Sequence, residues 1–462
     1  MKIKGTEKVP ILIFLGALAI GIAFLPPENS LTYDGALYIN IARSLTKSVT
    51  SFTYQGIYMM YRPPLYPYTL SIFFRVFSSN HLLIARLVSV FSFALTSVLV
   101  YLLTLEMFRD SVKGIIASLF YIFNPLAFTM AGRELVHSEF TFFYTLAIYL
   151  LYTGKVRKSN TRIYLSFIAA GLAILTRYTG LSIVLVFLTY LWLTEDWNWV
   201  RRREYLIGFA LLFLTLLPWL YMGHLYYGGF FRPFKIASKV VTLDRPVSAF
   251  DFIKMVIGDM GFLLPALAVL GFFRVKKDEN GWLILSWLVM GGGGILTVTH
   301  KESRFITFLS PVIAILASEG IYLLSNLTPR IRRNNIVAVI LALLLLIPIG
   351  MKADNLRDRW SIVGVYDSNV VRYVSEHYDG KKILVSPYLY TIAGYYYPNA
   401  EIDMILNRKE IVEKIAKGYY DVIIHKDPNV YLNIEESGNY VLVKEFHGGR
   451  FKVYINRRSL AK

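Results

Sequence analysis

Cysteine is absent from the 462-residue chain. That excludes disulfides, thiolate nucleophiles and cysteine-based zinc sites, and it leaves the compartment unreadable from redox chemistry. Charge is scarce too: 17% of residues are charged and 55% hydrophobic, whereas soluble domains run at about 25% and about 45–50%. The imbalance argues against a soluble enzyme, a disordered chain or a fibrous one. Acidic residues are the scarcer sign, 31 against 49 basic, for a formal net charge of +18. No Walker motif, GxGxxG fingerprint or HExxH motif is present, so nucleotide hydrolysis and zinc proteolysis have no support. Internal repeats and low-complexity segments are missing as well.

Long apolar runs are what the chain has instead. A membrane helix needs about 17–25 largely apolar residues. Eleven such spans are read here, at about 9–25, 82–107, 112–130, 137–153, 162–176, 179–194, 204–223, 255–273, 281–299, 305–325 and 335–351. The first follows Lys2, Lys4 and Lys8, lacks a small-residue cleavage site and runs into Pro26 and Pro27. It therefore reads as a retained anchor rather than a signal peptide. With the N-terminus cytoplasmic, one set of short loops gathers eighteen basic residues, from Lys2 through Arg109, Lys155, Arg201 and Arg274 to Arg330, Arg332 and Arg333. The short loops opposite hold only Arg133, Arg177, Lys301 and Arg304. This is the positive-inside bias, so the basic excess is a topology signal and needs no nucleic acid.

The expected fold is mainly α: a polytopic protein of about 11 transmembrane helices, multi-pass in the plasma membrane. Its first extracytoplasmic loop is long, at about 26–81, and bears interfacial helices; a second runs at about 224–254. Residues 1–351 form the membrane domain and 352–462 a small extracytoplasmic α/β domain. That tail is mixed in charge, 17 basic against 14 acidic. It alternates strand-like runs (Lys382–Val385, Asp421–Ile424, Tyr440–Val443, Phe451–Tyr454) with helix-like ones near 367–378 and 408–417.

Carboxylates on the far side are few enough to take singly. Asp34 opens a stretch with Leu37, Ile41 and Leu45 at i, i+4, i+8, and Asn40, Arg43 and Lys47 on other faces. That spacing predicts an interfacial helix, where Asp34 suits either an N-cap or chemistry at the membrane boundary. In Tyr61-Arg62-Pro63-Pro64-Leu65-Tyr66-Pro67, Pro64 starts a second surface helix through Phe77 and holds Arg62 near its beginning. Arg62 is then an anion contact or an exposed cation on a rigid turn. Glu139 enters the fourth span, where a carboxylate is expensive and marks function, or is stabilised by the helix dipole. His300 and Arg304, in His300-Lys301-Glu302-Ser303-Arg304-Phe305, stand one turn apart if helical and then face one anion. As solvated loop-end charges they would do nothing. Arg86, Arg177, Arg232 and Lys235 add cations on the same side, which suits a lipid-linked phosphate. Seven tyrosines (Tyr33, Tyr38, Tyr54, Tyr58, Tyr61, Tyr66, Tyr68) offer stacking faces for sugars, or an interfacial aromatic belt.

Taken together, these motifs resemble the GT-C membrane glycosyltransferases. The acidic residue after the first span, the Arg-Pro-Pro-Leu-Tyr-Pro loop and Ser138-Glu139-Phe140-Thr141-Phe142-Phe143 look like the protein O-mannosyltransferase and aminoarabinose-transferase branch. His300-Lys301-Glu302-Ser303-Arg304-Phe305 is similar to the His-Lys-Glu-x-Arg-Phe signature of GT-C mannosyltransferases. The resemblance covers roughly residues 1–350. It implies transfer of a single sugar, mannose being one candidate, from a polyprenyl- or dolichyl-phosphate donor to a hydroxyl on protein, lipid-linked glycan or envelope lipid, with inversion. Asp34 would be the general base. Arg304, with His300, Arg62, Arg133 and Lys301, would bind the donor phosphate. Glu139 would orient the acceptor or a cation, and Tyr33, Tyr38, Tyr61, Tyr66 and Glu302 would contact sugar and acceptor. Gly35 replaces the second acidic residue common after the first span in the family. No cofactor is certain, and a divalent cation, Mg or Mn, stays open.

Two other classes compete. A transporter or lipid flippase would place ionisable residues near the midplane, often in repeated halves. Here the notable charges gather at helix ends, with Glu319 an exception. A glycan ligase or oligosaccharyltransferase of the same fold would transfer a whole oligosaccharide, but the usual WWDxG-like signature is missing.

Overall fold

A computed structural model describes residues 8–241, 246–296, 298–326, 334–405, 409–428, 432 and 434–460. Of the basic residues read for topology, Lys2, Lys4, Arg330, Arg332 and Arg333 lie outside the described residues. The protein is mainly helical. In chain order the helices are α1 (Val9–Ala23), α2 (Tyr33–Lys47), α3 (Leu65–Val76), α4 (His81–Phe108), α5 (Ser111–Ile122), α6 (Pro125–Ala131) and α7 (His137–Val156). They continue with α8 (Asn160–Thr176), α9 (Ser182–Glu195), α10 (Arg203–Tyr227), α11 (Arg232–Val241), α12 (Ala249–Met260), α13 (Leu263–Phe272) and α14 (Glu279–Ser286). The last are α15 (Gly292–Leu296), α16 (Ser310–Asn326), α17 (Asn334–Ser361), α18 (Val365–His377), α19 (Tyr390–Tyr396), α20 (Lys409–Ala416) and α21 (Arg457–Leu460).

The chain divides into two compact units. Unit 1 comprises residues 1–25, 60–69 and 84–360; unit 2 comprises 26–59, 70–83 and 361–462.

Unit 1 is helical. Among the described residues, five apolar helical stretches are long enough to cross a membrane, or seven if the bent pairs α5–α6 (64°) and α12–α13 (108°) each count as one span. Those are the helices of a multi-pass membrane protein. By length and composition this falls short of the eleven expected. The helices α1 and α8 are apolar but only 15 and 17 residues long, and the 279–296 stretch is interrupted by a wide π turn at Trp287–Gly291.

Close approach within unit 1 depends on small residues, as membrane helices require when lipid supplies no hydrophobic drive for association. A Cβ on Gly271 of α13 would stand 1.9 Å from the Leu316 carbonyl oxygen of α16. One on Gly320 of α16 would stand 2.1 Å from the Leu267 oxygen of α13. The two glycines are thus the reciprocal contact that lets these backbones touch. Nearby, a buried ion triad ties α5 to α16: the Lys113 ammonium pairs with one Glu319 oxygen, and Arg274 Nε lies 3.2 Å from the other. Asp110 caps α5 by accepting from the Lys113 amide and accepts from the Tyr322 hydroxyl at 3.1 Å.

Unit 2 is α/β. A two-residue hairpin, β1 (Thr53–Tyr54) with β2 (Ile57–Tyr58), precedes a five-stranded sheet of β3 (Lys382–Val385), β4 (Glu401–Met404), β5 (Val422–Lys426), β6 (Tyr440–Phe446) and β7 (Phe451–Asn456). The strand order is β4-β3-β5-β7-β6. β3 runs parallel to β4 and β5, and β7 antiparallel to β5 and β6. Leu384, Ile411, Ile415, Tyr420, Ile423 and Tyr440 form the core of this sheet. At the hairpin, Gln55 sits at φ 50°, a conformation that costs a non-glycine residue roughly 1–2 kcal/mol. Its side chain offsets this by donating to the Ala400 carbonyl at 3.0 Å and accepting from the Ile402 amide.

Helix α2 belongs to unit 2 and departs from the interfacial expectation. The stripe Leu37, Ile41, Leu45 is buried as its spacing predicts, but Gly35, Ala36, Tyr38, Ile39, Asn40 and Ala42 are buried as well. A helix lying on a membrane surface would keep a wet face. Here the polar side chains Asn40 and Arg43 find protein carbonyls instead of water. α3 fits its surface reading better, exposing Ile72, Phe73 and Val76.

Candidate functional site

In unit 1, α6 is capped by Asn124, whose Oδ1 accepts from the Leu126 and Ala127 amides at 3.1 and 3.2 Å. The helix stops at Gly132, and a short turn feeds α7, bringing Arg133, Glu134, His137 and Glu139 together at one helix end. Glu134 is fully buried and receives two guanidinium groups: Arg86 Nε at 3.2 Å, from α4, and Arg133 Nη2 at 3.3 Å. Arg133 also donates Nη1 to the Trp360 carbonyl at 3.0 Å.

More cations adjoin them. Arg177 Nη1 stands 3.1 Å from His137 Nδ1, and its guanidinium lies 4.2 Å over the Phe305 ring. Arg304 lies 5.4 Å over Trp360 and binds Glu302 in two-point fashion, Nε to Oε2 at 2.7 Å and Nη2 to Oε1 at 2.8 Å. The charges of Arg86 and Arg304 both act on Arg133, and those of Arg177 and Arg304 both act on His137. These four guanidinium groups form a cationic cluster in which Glu134 and Glu302 are carboxylate partners. Like charges gathered this closely favour an anionic ligand.

His300 and Arg304 come together on one carboxylate, Glu302, which lies 3.3 Å from His300 Nε2 as well as against Arg304. Residues 300–302 are not helical; a tight turn of helix begins at Ser303. Lys301 points elsewhere, its Nζ donating to the Val247 carbonyl at 2.8 Å. Glu139, in the first turn of α7, accepts from the Thr69 hydroxyl at 2.7 Å through Oε1, while its buried Oε2 has no hydrogen-bond partner. The Arg62 guanidinium lies 5.3 Å over the Tyr61 ring. The turn is held by Tyr178, whose hydroxyl donates to the Met60 carbonyl at 2.9 Å and accepts from Trp219 Nε1 at 2.8 Å. Tyr66 is fully buried, its hydroxyl on the Ala85 carbonyl, so no face is left for a sugar.

Asp34 belongs to unit 2. The N-cap of α2 is Thr32, whose hydroxyl accepts from the Gly35 amide at 3.0 Å. Asp34 is thus the second residue of the helix, half-buried and not its cap. Tyr33 beside it is exposed, whereas Tyr38 is buried.

Sequence reasoning gave no role to Glu134 or His137, although both stand just before the Ser138–Phe143 run at a membrane boundary. A buried carboxylate adjoining Arg133 was the available signal. Among the described residues, no three His, Asp or Glu side chains gather as metal ligands. A cavity of about 790 Å³ lies at the other end of α7, lined by Lys155, Lys158, Glu195, Arg202 and Glu279. Lys155 is sixteen residues beyond Glu139, or about 24 Å along a helix. The charges there neutralise one another, with Lys155 2.8 Å from Glu279 and Arg202 2.9 Å from Glu195.

Over its whole length the chain superposes on ArnT of Cupriavidus metallidurans bound to undecaprenyl phosphate. The match covers 99% of both chains at a TM-score of 0.77 and 17% identity. It has the GT-C fold. The archaeal oligosaccharyltransferase AglB of Archaeoglobus fulgidus, in complex with an inhibitory peptide and a dolichol-phosphate, also matches. That match covers 98% of this chain and 75% of the other, at a TM-score of 0.63 and 13% identity. In sequence, the family model for dolichyl-phosphate-mannose-protein mannosyltransferase matches residues 61–222. An uncharacterised protein of Aquifex aeolicus is 30% identical over 175 residues, 37% of this chain and a third of that relative's length. The GT-C resemblance read from the motifs therefore stands. The residues within the family match include Arg62, Arg86, Arg133, Glu134, His137, Glu139 and Arg177.

Proposed function

We propose that this GT-C-fold protein is an integral membrane glycosyltransferase that moves a single sugar from a polyprenyl- or dolichyl-phosphate carrier to a hydroxyl acceptor, with inversion. The observation that carries the reading is the cluster of the buried Arg86 and Arg133 with the half-buried Arg177 and Arg304, in a fold shared with a protein crystallised bound to undecaprenyl phosphate. A lipid-linked phosphate is the ligand such a cluster suits. Arg304, with His300, Arg133 and Arg62, neutralises the phosphate oxygens. The Asp34 carboxylate takes the proton of the acceptor hydroxyl as its oxygen attacks the anomeric carbon. The bond from that carbon to the phosphate oxygen breaks, and polyprenyl phosphate leaves. Glu139 orients the acceptor. Mannose is the first sugar to try, given the family match; protein, lipid-linked glycan and envelope lipid are the acceptors. The protein is placed by this reading in the plasma membrane with its N-terminus cytoplasmic. The membrane domain (1–351) is catalytic, and the 352–462 domain lies on the outer side.

A second reading, transfer of a whole oligosaccharide, is favoured by the match to AglB. One assay separates them. The purified full chain is given radiolabelled polyprenyl-phosphate sugars, mannose first, or a lipid-linked oligosaccharide, together with a membrane lipid extract and peptide acceptors. The Asp34→Asn variant runs beside it. Asp34-dependent transfer of one sugar supports the first reading, and transfer only from the oligosaccharide supports the second. Absence of donor binding as well as transfer would overturn both.

A further inference from the structure

Helix α2, which carries Asp34, is tied along its length to one short helix of the same unit, α19. The Thr391 hydroxyl donates to the Tyr33 carbonyl at 2.7 Å, and Asn40 Nδ2 donates to the Thr391 carbonyl at 2.9 Å. One turn later, Arg43 Nη1 donates to the Tyr395 carbonyl at 2.9 Å, and its guanidinium lies 4.6 Å over the Tyr395 ring. Thr391 and Asn40 are both buried. Tyr33 and Asn40 are seven residues apart, about two turns, and so share a face of α2. Helical side chains lean toward the N-terminus while carbonyls point toward the C-terminus. Thr391 alone can therefore grip both ends of that interval. Its hydroxyl fixes the residue next to Asp34, and its carbonyl fixes the helix two turns on.

The other segment before α3 is anchored the same way. The Tyr54 hydroxyl donates to the Tyr390 carbonyl at 2.6 Å, and the two rings meet edge to face at 4.9 Å. A Cβ on Gly394 would stand 2.4 Å from the Tyr54 oxygen, so α19 cannot slide without disturbing β1. Rotation and height of α2 are thus set by a helix nearly 360 residues away in sequence.

We propose that α19 is a positioning element for the catalytic carboxylate, with Thr391 and Asn40 as positioning residues that fix how Asp34 is presented. The C-terminal sheet domain is then part of the reaction machinery through the helix it carries. This rests on the reading of Asp34 as general base. Rates are sensitive to such placement: an error of about 1 Å costs roughly a hundredfold.

The test uses the full-length protein in detergent or nanodiscs. Thr391→Val keeps the shape of the side chain and removes the hydroxyl; Thr391→Ser restores it. Amide hydrogen exchange, which needs no substrate, should quicken about tenfold at residues 33–37 in Thr391→Val and stay unchanged in β3 and β5. With the donor that the wild type uses, kcat should fall about tenfold to a hundredfold while the donor KM stays within about twofold, and Thr391→Ser should recover it. Asn40→Leu should act in the same direction, and it replaces Thr391→Val if that variant fails to fold. Unchanged exchange at 33–37 overturns the proposal, as does a loss confined to KM or a loss that Thr391→Ser shares. If Asp34→Asn is inactive while Thr391→Val keeps wild-type kcat, only the positioning role falls. If Asp34→Asn turns over like wild type, the base assignment falls and takes the positioning role with it.

Discussion

The cations of unit 1 and unit 2 are handled differently. In unit 1, Arg86 and Arg133 share Glu134, Arg177 rests on a histidine and a phenylalanine ring, and Arg304 meets Glu302 in two-point contact. In unit 2, Lys426 pairs with Asp367 at 2.7 Å, Lys414 with Asp403 at 3.0 Å and Glu410 at 3.3 Å, and the half-buried Arg43 is met by carbonyl, imidazole and ring. A fold does not gather like positive charges in a low-dielectric region for stability, because desolvating each cation is expensive. Under the proposed function the gathered guanidinium groups of unit 1 serve an anion, whereas the ion pairs of unit 2 are architecture, with Asp34 mounted on it.

That contrast is open to attack. Its strongest form separates turnover from donor binding. Asp34→Asn should lower kcat by about 10²–10⁴, the range for a lost general base, while donor affinity by equilibrium binding stays at the wild-type value. Weakened donor binding in this variant would break the division of labour. Next comes the helix contact in unit 1 that carries no charge. Gly271→Leu forces a side chain against the Leu316 carbonyl, and overpacking of this kind should destabilise by about 3 kcal/mol. The readout is thermal unfolding in detergent, with unit 2 variants of equal volume change as the reference. Arg304→Ala should weaken donor binding by about 1–3 kcal/mol, the worth of a charge-assisted contact. An unchanged donor Kd would mean that the gathered charge does not serve the phosphate.

The smallest expected effect lies in unit 2. Burial holds the His425 imidazole below its usual 6.5, with Lys452 pushing the same way and Asp427 opposing. Its folded pKa is depressed, so the unfolded chain binds the proton more readily. Stability from this residue is complete above about pH 6.5 and is lost as pH falls below it, by at most about 1.4 kcal/mol per pH unit. Amide exchange in β5 measured from pH 7.5 to 5 should show that slope in the wild type and a flatter one in His425→Gln.

Much of the scaffold could be read from local pattern. The Leu37, Ile41, Leu45 stripe became a helix, Lys382–Val385 became β3 residue for residue, and the run near 367–378 became α18. What local pattern misjudged was partnership. Asp34 and Thr32 are both good caps, and only the backbone angles give the cap to Thr32. β4 reads Glu-Ile-Asp-Met, too polar to announce an edge strand, and α19 is seven residues rich in tyrosine with a glycine inside. Both form because a neighbour holds them. The site cations were visible one at a time, but their pairing was not: Arg86 meets Glu134 across 48 residues, and no periodicity reports such a pair. Glu302, two residues from both His300 and Arg304, and Glu134, next to Arg133, were partners that adjacency did supply.

The ion triad of Lys113, Arg274 and Glu319 has a consequence in time rather than space. Lys113 is made 206 residues before the carboxylate that neutralises it. At about 5–20 residues per second of synthesis, α5 exists for roughly 10–40 s as a nascent helix with an uncompensated ammonium. Glu319 therefore works as a completion signal: until α16 is made and docked, α5 is poorly suited to rest in lipid and open to quality control. Chains truncated before Glu319 should be degraded faster than the same truncations carrying Lys113→Met, and equal lifetimes would show that the early helix tolerates its charge unaided.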